Sequence, residues 1–165
     1  IIRGLRDEGI PVCSHVGLIP SKATWTGGFK AVGKTADSAM TIWNAVKALE
    51  EAGAFAAEIE VVPAEVASLI SAQTSLFMIS MGAGAGCDAQ YLFADDVLGQ
   101  NRGHVPRHAK TYRNFNAEFD RLQHERIAAF REFRQDVESG AYPAEPHKVG
   151  VSSGELARFR NMINS

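Results

Sequence analysis

The sequence predicts an α/β fold in which parallel strands alternate with helices and a helical segment closes the chain. Three observations carry that expectation. Short apolar runs of strand length recur between stretches whose apolar residues fall at helical spacing. The runs are apolar at consecutive positions and contain β-branched residues, the pattern of parallel strands covered by helices. From residue 106 onward the runs stop, and the chain turns helical and more polar.

Residues 1–8 read as an amphipathic helix stopped by Gly9, and Ile10-Pro11-Val12-Cys13-Ser14-His15-Val16 as the first strand. Residues 20–35 are rich in small and polar side chains and read as a loop. Over residues 36–51, Ala39, Ile42, Trp43, Val46 and Leu49 recur at helical spacing, with Thr35 as N-cap and Gly53 just past the end. Residues 54–62 form a second strand, and Pro63 suits the first turn of a helix over 64–72. A third strand over 76–81 runs into Gly82-Ala83-Gly84-Ala85-Gly86, and Tyr91-Leu92-Phe93-Ala94 reads as a short fourth. Phe119, Leu122, Phe130, Phe133 and Val137 give a helix over 116–138 one packing face, and Gly140 ends it. After a loop over 142–147, a last helix spans 153–164 with Ser153 as its cap. No repeat or linker interrupts the chain. It therefore reads as a single domain over 1–165, with βα units over 1–105 and a helical segment over 106–165.

At 165 residues, 45 % hydrophobic and 22 % charged, the chain can bury a sizeable core. A net charge of −2 with no Lys/Arg block disfavours nucleic acid as a partner. No apolar run approaches the roughly 18 residues of a membrane span, and the N-terminus has no signal-peptide core, so a cytoplasmic location is expected. The chain opens inside a helix without Met, which suggests a piece of something longer. Cys13 and Cys87 are far apart and belong to no C-x-x-C pair, so buried free thiols are expected.

Glu60 is the first candidate for chemistry. A carboxylate at the end of an apolar strand is desolvated, which raises its pKa toward the range of a general base, unless it is solvated or paired with a cation. Glu58 shares its strand face by period two. His15, also placed near a strand end, is either a hydrogen-bonded core histidine or a substrate contact. The glycine run fails the G-x-G-x-x-G dinucleotide pattern at Cys87, and no P-loop is present. Asp95 and Asp96 are adjacent and point different ways, as helix-cap or solvated residues do. His104 and His108 flank Pro106 without an H-E-x-x-H glutamate. None of these, nor Asp88, is assigned as a metal ligand. From the residues alone a doubly wound sheet and a (βα)8 barrel both fit, although a barrel usually needs ~250 residues and four strands cannot close one.

Four motifs narrow the choice: Cys13-Ser14-His15-Val16-Gly17-Leu18, Gly27-Gly28-Phe29-Lys30, Ala57-Glu58-Ile59-Glu60-Val61-Val62-Pro63 and Met81-Gly82-Ala83-Gly84. In order and spacing they resemble the strand ends of the ketopantoate hydroxymethyltransferase family, with G-H-x-G-L, G-G-[YF]-[KR], L-E-x-V-P and G-I-G-A-G followed by D-G-Q, which here is Asp88-Ala89-Gln90. The resemblance implies the C-terminal part of a (βα)8 TIM-type barrel, covering its fifth to eighth strands, followed by C-terminal helices. It implies Glu60 as the catalytic base and His15, Gly82 and Gly84 as substrate-binding residues. The implied reaction transfers a hydroxymethyl group from 5,10-methylenetetrahydrofolate to 2-oxoisovalerate in a homo-oligomeric enzyme. The implied Mg²⁺ takes its ligands from residues preceding Ile1, so the isolated chain is expected to lack activity. Ile19-Pro20-Ser21-Lys22 and Ala31-Val32-Gly33 depart from the family's T-P-Q-S and V-Q-G. Two alternatives stay open: a Mg²⁺-dependent carbon–carbon lyase or mutase like phosphoenolpyruvate mutase and isocitrate lyase, and a non-catalytic paralogue acting in assembly.

Overall fold

Strand order in the sheet follows chain order: the second and third strands each return parallel to their predecessor after a helix, and the fourth after a glycine-rich turn. The computed structural model describes every residue except 22, 23, 25–27 and 165. Gly27 of the Gly27-Gly28-Phe29-Lys30 motif and Lys22 of the Ile19-Pro20-Ser21-Lys22 loop lie outside the described residues. The elements are α1 (Ile2–Asp7), β1 (Cys13–Gly17), α2 (Ala36–Ala52), β2 (Ala56–Glu60), α3 (Ala64–Ser71), β3 (Phe77–Met81), β4 (Ala89–Gln90), α4 (Ala94–Leu98), α5 (Phe115–Ser139), a 3₁₀ turn (Glu145–His147) and α6 (Ser153–Ile163). The four strands pair β1-β2-β3-β4, all parallel. A doubly wound sheet reverses order at a switch point. This sheet does not, and a barrel segment is the architecture that matches it.

The two sheet faces have different tasks. Val16, Ala57, Ile59 and Met78 form one core with Ile42 and Val46 of α2 and Ala67 and Ile70 of α3. Cys13, His15, Glu58 and Glu60 alternate with them and so occupy the opposite face. The helices are fixed locally: Thr35 and Ser38 form a capping box on α2, and Gly53 closes it in the left-handed conformation.

Several expectations are corrected. The fourth strand is not at residues 91–94 but at Ala89–Gln90, because the Asp88 carboxylate accepts the Met78 backbone N–H at 2.7 Å and starts the pairing earlier. Phe93 then caps α4, whose C-cap is Gly99. The first strand begins later than expected, so His15 is its middle residue, with Gly17 at the end. Ser152, not Ser153, caps α6, its side chain accepting from the Glu155 N–H. The cysteines are free thiols but not buried: Cys13 is exposed and Cys87 half-buried.

The chain divides into two compact units, Ile1–Phe115 and Asn116–Ser165. In the second, Phe119, Leu122, Phe130, Phe133 and Val137 of α5 are largely exposed, and Phe133 meets Tyr142 edge to face with ring centroids 5.4 Å apart. No described helix is long and apolar enough to cross a membrane.

Candidate active site

Glu60 is the last residue of β2, in register with Gly17 of β1 and Met81 of β3. Its side chain is only 10 % exposed. Two backbone features bring the chain so close. Gly17 adopts φ +89°, and a Cβ there would sit 2.4 Å from the Glu60 carbonyl oxygen. That oxygen also accepts the Leu18 N–H at 2.9 Å. Val61, next in sequence, has φ +50°, a strained conformation for a β-branched residue. Its N–H donates to Met81 O at 2.9 Å, and its carbonyl accepts from Val32 N–H at 3.1 Å. Hydrogen bonds from both sides hold the strain immediately after the carboxylate.

His15 stands between two carboxylates. Nδ1 lies 3.1 Å from Glu58 Oε2, and Nε2 lies 2.9 Å from the Leu18 carbonyl oxygen. Nε2 is also 3.0 Å from Glu60 Oε2, yet that oxygen is buried without an aligned hydrogen bond. The two observations agree once direction is considered, since the Nε2 hydrogen points at Leu18 and proximity to Glu60 is Coulombic. Burial pushes the Glu60 carboxyl above its usual range. Positive charge on His15 and on His108 opposes this, while Glu58 adds slightly to the upward shift. A desolvated carboxylate with an oxygen lacking a donor is ready to accept a proton.

Gly82 lies on the same rim. A Cβ there would come within 2.8 Å of the His108 ring, so glycine lets that imidazole approach. Gly84 is held structurally, its carbonyl accepting from Ser80 Oγ at 2.7 Å and Gln90 Nε2 at 3.0 Å. Both glycines line a cavity of about 460 Å³ together with Gln90, Tyr91, His108 and Lys110. A wider one of about 810 Å³ is lined by Leu18, Phe29, Lys30, Lys34, Val61, Arg107 and His108, among others. The basic side chains there suit an acidic small molecule. A separate groove between α2 and α3, lined by Met40, Trp43, Leu69 and neighbours, is apolar and lies on the helical side.

His15, Glu60 and Gly82 are thus brought to one place. Sequence reasoning had no contact for Glu58 and set His108 aside with His104 as a weak metal pair. Glu58 was visible as a period-two neighbour of Glu60. His108 lies in an irregular segment whose sequence carries no signal of where it folds. Among the described residues no three His, Cys, Asp or Glu side chains are grouped to hold a metal ion. Asp95 and Asp96 lie in the first turn of α4, and Asp96 is buried and accepts from Asn101 Nδ2 at 2.8 Å. The described residues therefore do not fit the implied Mg²⁺.

Comparison with known proteins agrees with the geometry. The family model described as ketopantoate hydroxymethyltransferase matches residues 1–145. A 3-methyl-2-oxobutanoate hydroxymethyltransferase 1 of Methylibium petroleiphilum is 38 % identical over 99 % of this chain and 53 % of the relative. The 3-methyl-2-oxobutanoate hydroxymethyltransferase of Enterococcus faecalis is 37 % identical over 96 % of the chain and 55 % of the relative. That of Nitrosopumilus maritimus is 37 % identical over 99 % and 56 %. The chain spans about half the length of these curated relatives. With a matching family model over most of its residues and a strand-end carboxylate on a parallel, unreversed sheet, the chain belongs to the ketopantoate hydroxymethyltransferase family, a transferase family of TIM-barrel type.

Proposed function

We propose that the chain forms part of an enzyme that moves a hydroxymethyl group from 5,10-methylenetetrahydrofolate to 2-oxoisovalerate, with Glu60 as the base. The observation that carries the reading is the Glu60 carboxylate: buried, shifted toward its neutral form by desolvation, and left with an undonated Oε2. The hydrogen at C3 of a 2-oxo acid is acidified by the adjacent carbonyl. Glu60 removes it, and the resulting carbon nucleophile forms a C–C bond to the methylene carbon of the folate as one C–N bond opens. Water then supplies the hydroxyl as the second C–N bond breaks and the folate nitrogen leaves protonated as tetrahydrofolate.

Lys30, Lys34 and Arg107 line the mouth above and attract the acid's carboxylate. His15 steadies charge beside Glu60, and Gly82 and Gly84 give the substrate close access to the rim. The whole enzyme takes Mg²⁺ from residues other than those described here, works in the cytoplasm and assembles as a homo-oligomer. The exposed apolar face of α5 is the feature that supports assembly.

Glu60→Gln in the full-length protein tests the role of the base. It is expected to keep the fold and lower kcat by roughly 10²-fold or more. Proton exchange at C3 of 2-oxoisovalerate, followed by NMR in D₂O, should slow in parallel. Exchange at the wild-type rate removes Glu60 from the role.

A further inference from the structure

Among the described residues, the partners of the His15 ring are hydrogen-bond acceptors. A carbonyl oxygen cannot donate, so the 2.9 Å contact with Leu18 O requires a hydrogen on Nε2. A neutral ring would then turn a bare Nδ1 lone pair toward Glu58 Oε2 at 3.1 Å, and two acceptors at that distance repel. The contact is a hydrogen bond only with a proton inside it. The parallel ladder sets the separation, because His15 and Glu58 are register partners on adjacent strands. The Leu18 carbonyl is held as well, since its residue is tied by its own N–H to Glu60 O at 2.9 Å.

We propose that Glu58 is a positioning residue for the base: its carboxylate keeps a proton on His15 Nδ1, so that the ring stands beside Glu60 as a two-donor cation. Among the described residues, the titratable groups around the ring are Glu58 and Glu60 from β2, Cys13 two residues back on β1, and His108, whose charge acts on Glu60 from the segment after α4. Glu58 is placed to do this because it is the register partner of His15, with a side chain 29 % exposed and within reach of the ring.

The kinetic consequence rests on Glu60 being the base, and its sign is diagnostic. Positive charge on His15 counteracts the desolvation of Glu60 more than the negative charge of Glu58 adds to it. Removing a carboxylate that merely repels Glu60 would make Glu60 ionise at lower pH. Removing one that also holds the His15 proton abolishes the larger, favourable charge, so Glu60 ionises only at higher pH.

Two measurements decide the matter. Nitrogen-15 NMR of His15 in the full-length wild-type protein at pH 7 should find a hydrogen on both ring nitrogens. A bare Nδ1 overturns the proposal, and this reading needs no variant to fold. In Glu58→Gln, checked for fold by circular dichroism, Nδ1 should lose its hydrogen. The acid limb of the kcat profile should move up by roughly one pH unit, the low end for a charge at this distance. A limb that stays or moves down overturns the proposal. If Glu60→Gln leaves turnover intact, the functional reading fails, while the NMR result still decides the role of Glu58.

Discussion

Gly17 shows how a residue with no functional group can decide where one lies. Its φ of +89° is strained for any other residue, and a methyl group would meet backbone, the Glu60 carbonyl oxygen, rather than a side chain able to rotate away. Gly17→Ala should therefore destabilise by more than about 1 kcal/mol and lower the thermal midpoint. A midpoint equal to wild type would mean that the ends of β1 and β2 part at no cost. At this scale Glu60 was legible, because a carboxylate inside an apolar run demands an explanation. Its partners were not. Period two places Glu58 on the right face but cannot say that β1 brings His15 opposite it, since register between strands is a tertiary fact. The strained Val61 was equally hidden, because a β-branched residue after a strand argues for more strand.

Among the elements, α2 is tied to the start of β3 by one side chain. The Glu50 carboxylate accepts from Lys47 Nζ, from Ser75 N–H at 2.6 Å, from Ser75 Oγ at 2.7 Å and from Thr74 Oγ1 at 3.1 Å. Those donors, Lys47 first, pull its pKa from 4.5 down to about 2. A folded pKa below the unfolded one gives stability that is complete above about 4.5 and is lost as pH falls through about 2. Glu50→Gln should cost about 1–2 kcal/mol at neutral pH, the scale of hydrogen bonds to a charged acceptor. Urea midpoints of wild type and variant should converge between pH 7 and pH 3, and a gap that stays constant would exclude a role for the charge. The bounds of α2 were legible because the Thr35 cap and Gly53 stop are local chemistry. The displaced fourth strand was not, since its position is set by Asp88 reaching back to Met78. Tyr91-Leu92-Phe93 only imitates a strand, as an extended lead into α4.

For the whole molecule, alternation of apolar runs and helical stretches gave the α/β class, but barrel and doubly wound sheets share that pattern. Only the pairing order separates them, and the resemblance of the motifs anticipated it. The same order has a consequence in time. Cys13 must find Ala56 across the whole of α2 and the loop before it, Ala56 finds Phe77 across the shorter α3, and Ile79 finds Ala89 across a glycine turn. Closing a longer loop costs more entropy before any contact repays it, so β2, β3 and β4 should assemble before β1 joins them. Pulse-labelled hydrogen exchange during refolding should protect the amides of β2 and β3 ahead of those of β1, and simultaneous protection would contradict this sequence of events. Since His15 travels on β1, Glu60 stands without its imidazole neighbour until β1 joins β2, and the rim around the carboxylate is completed only at that step.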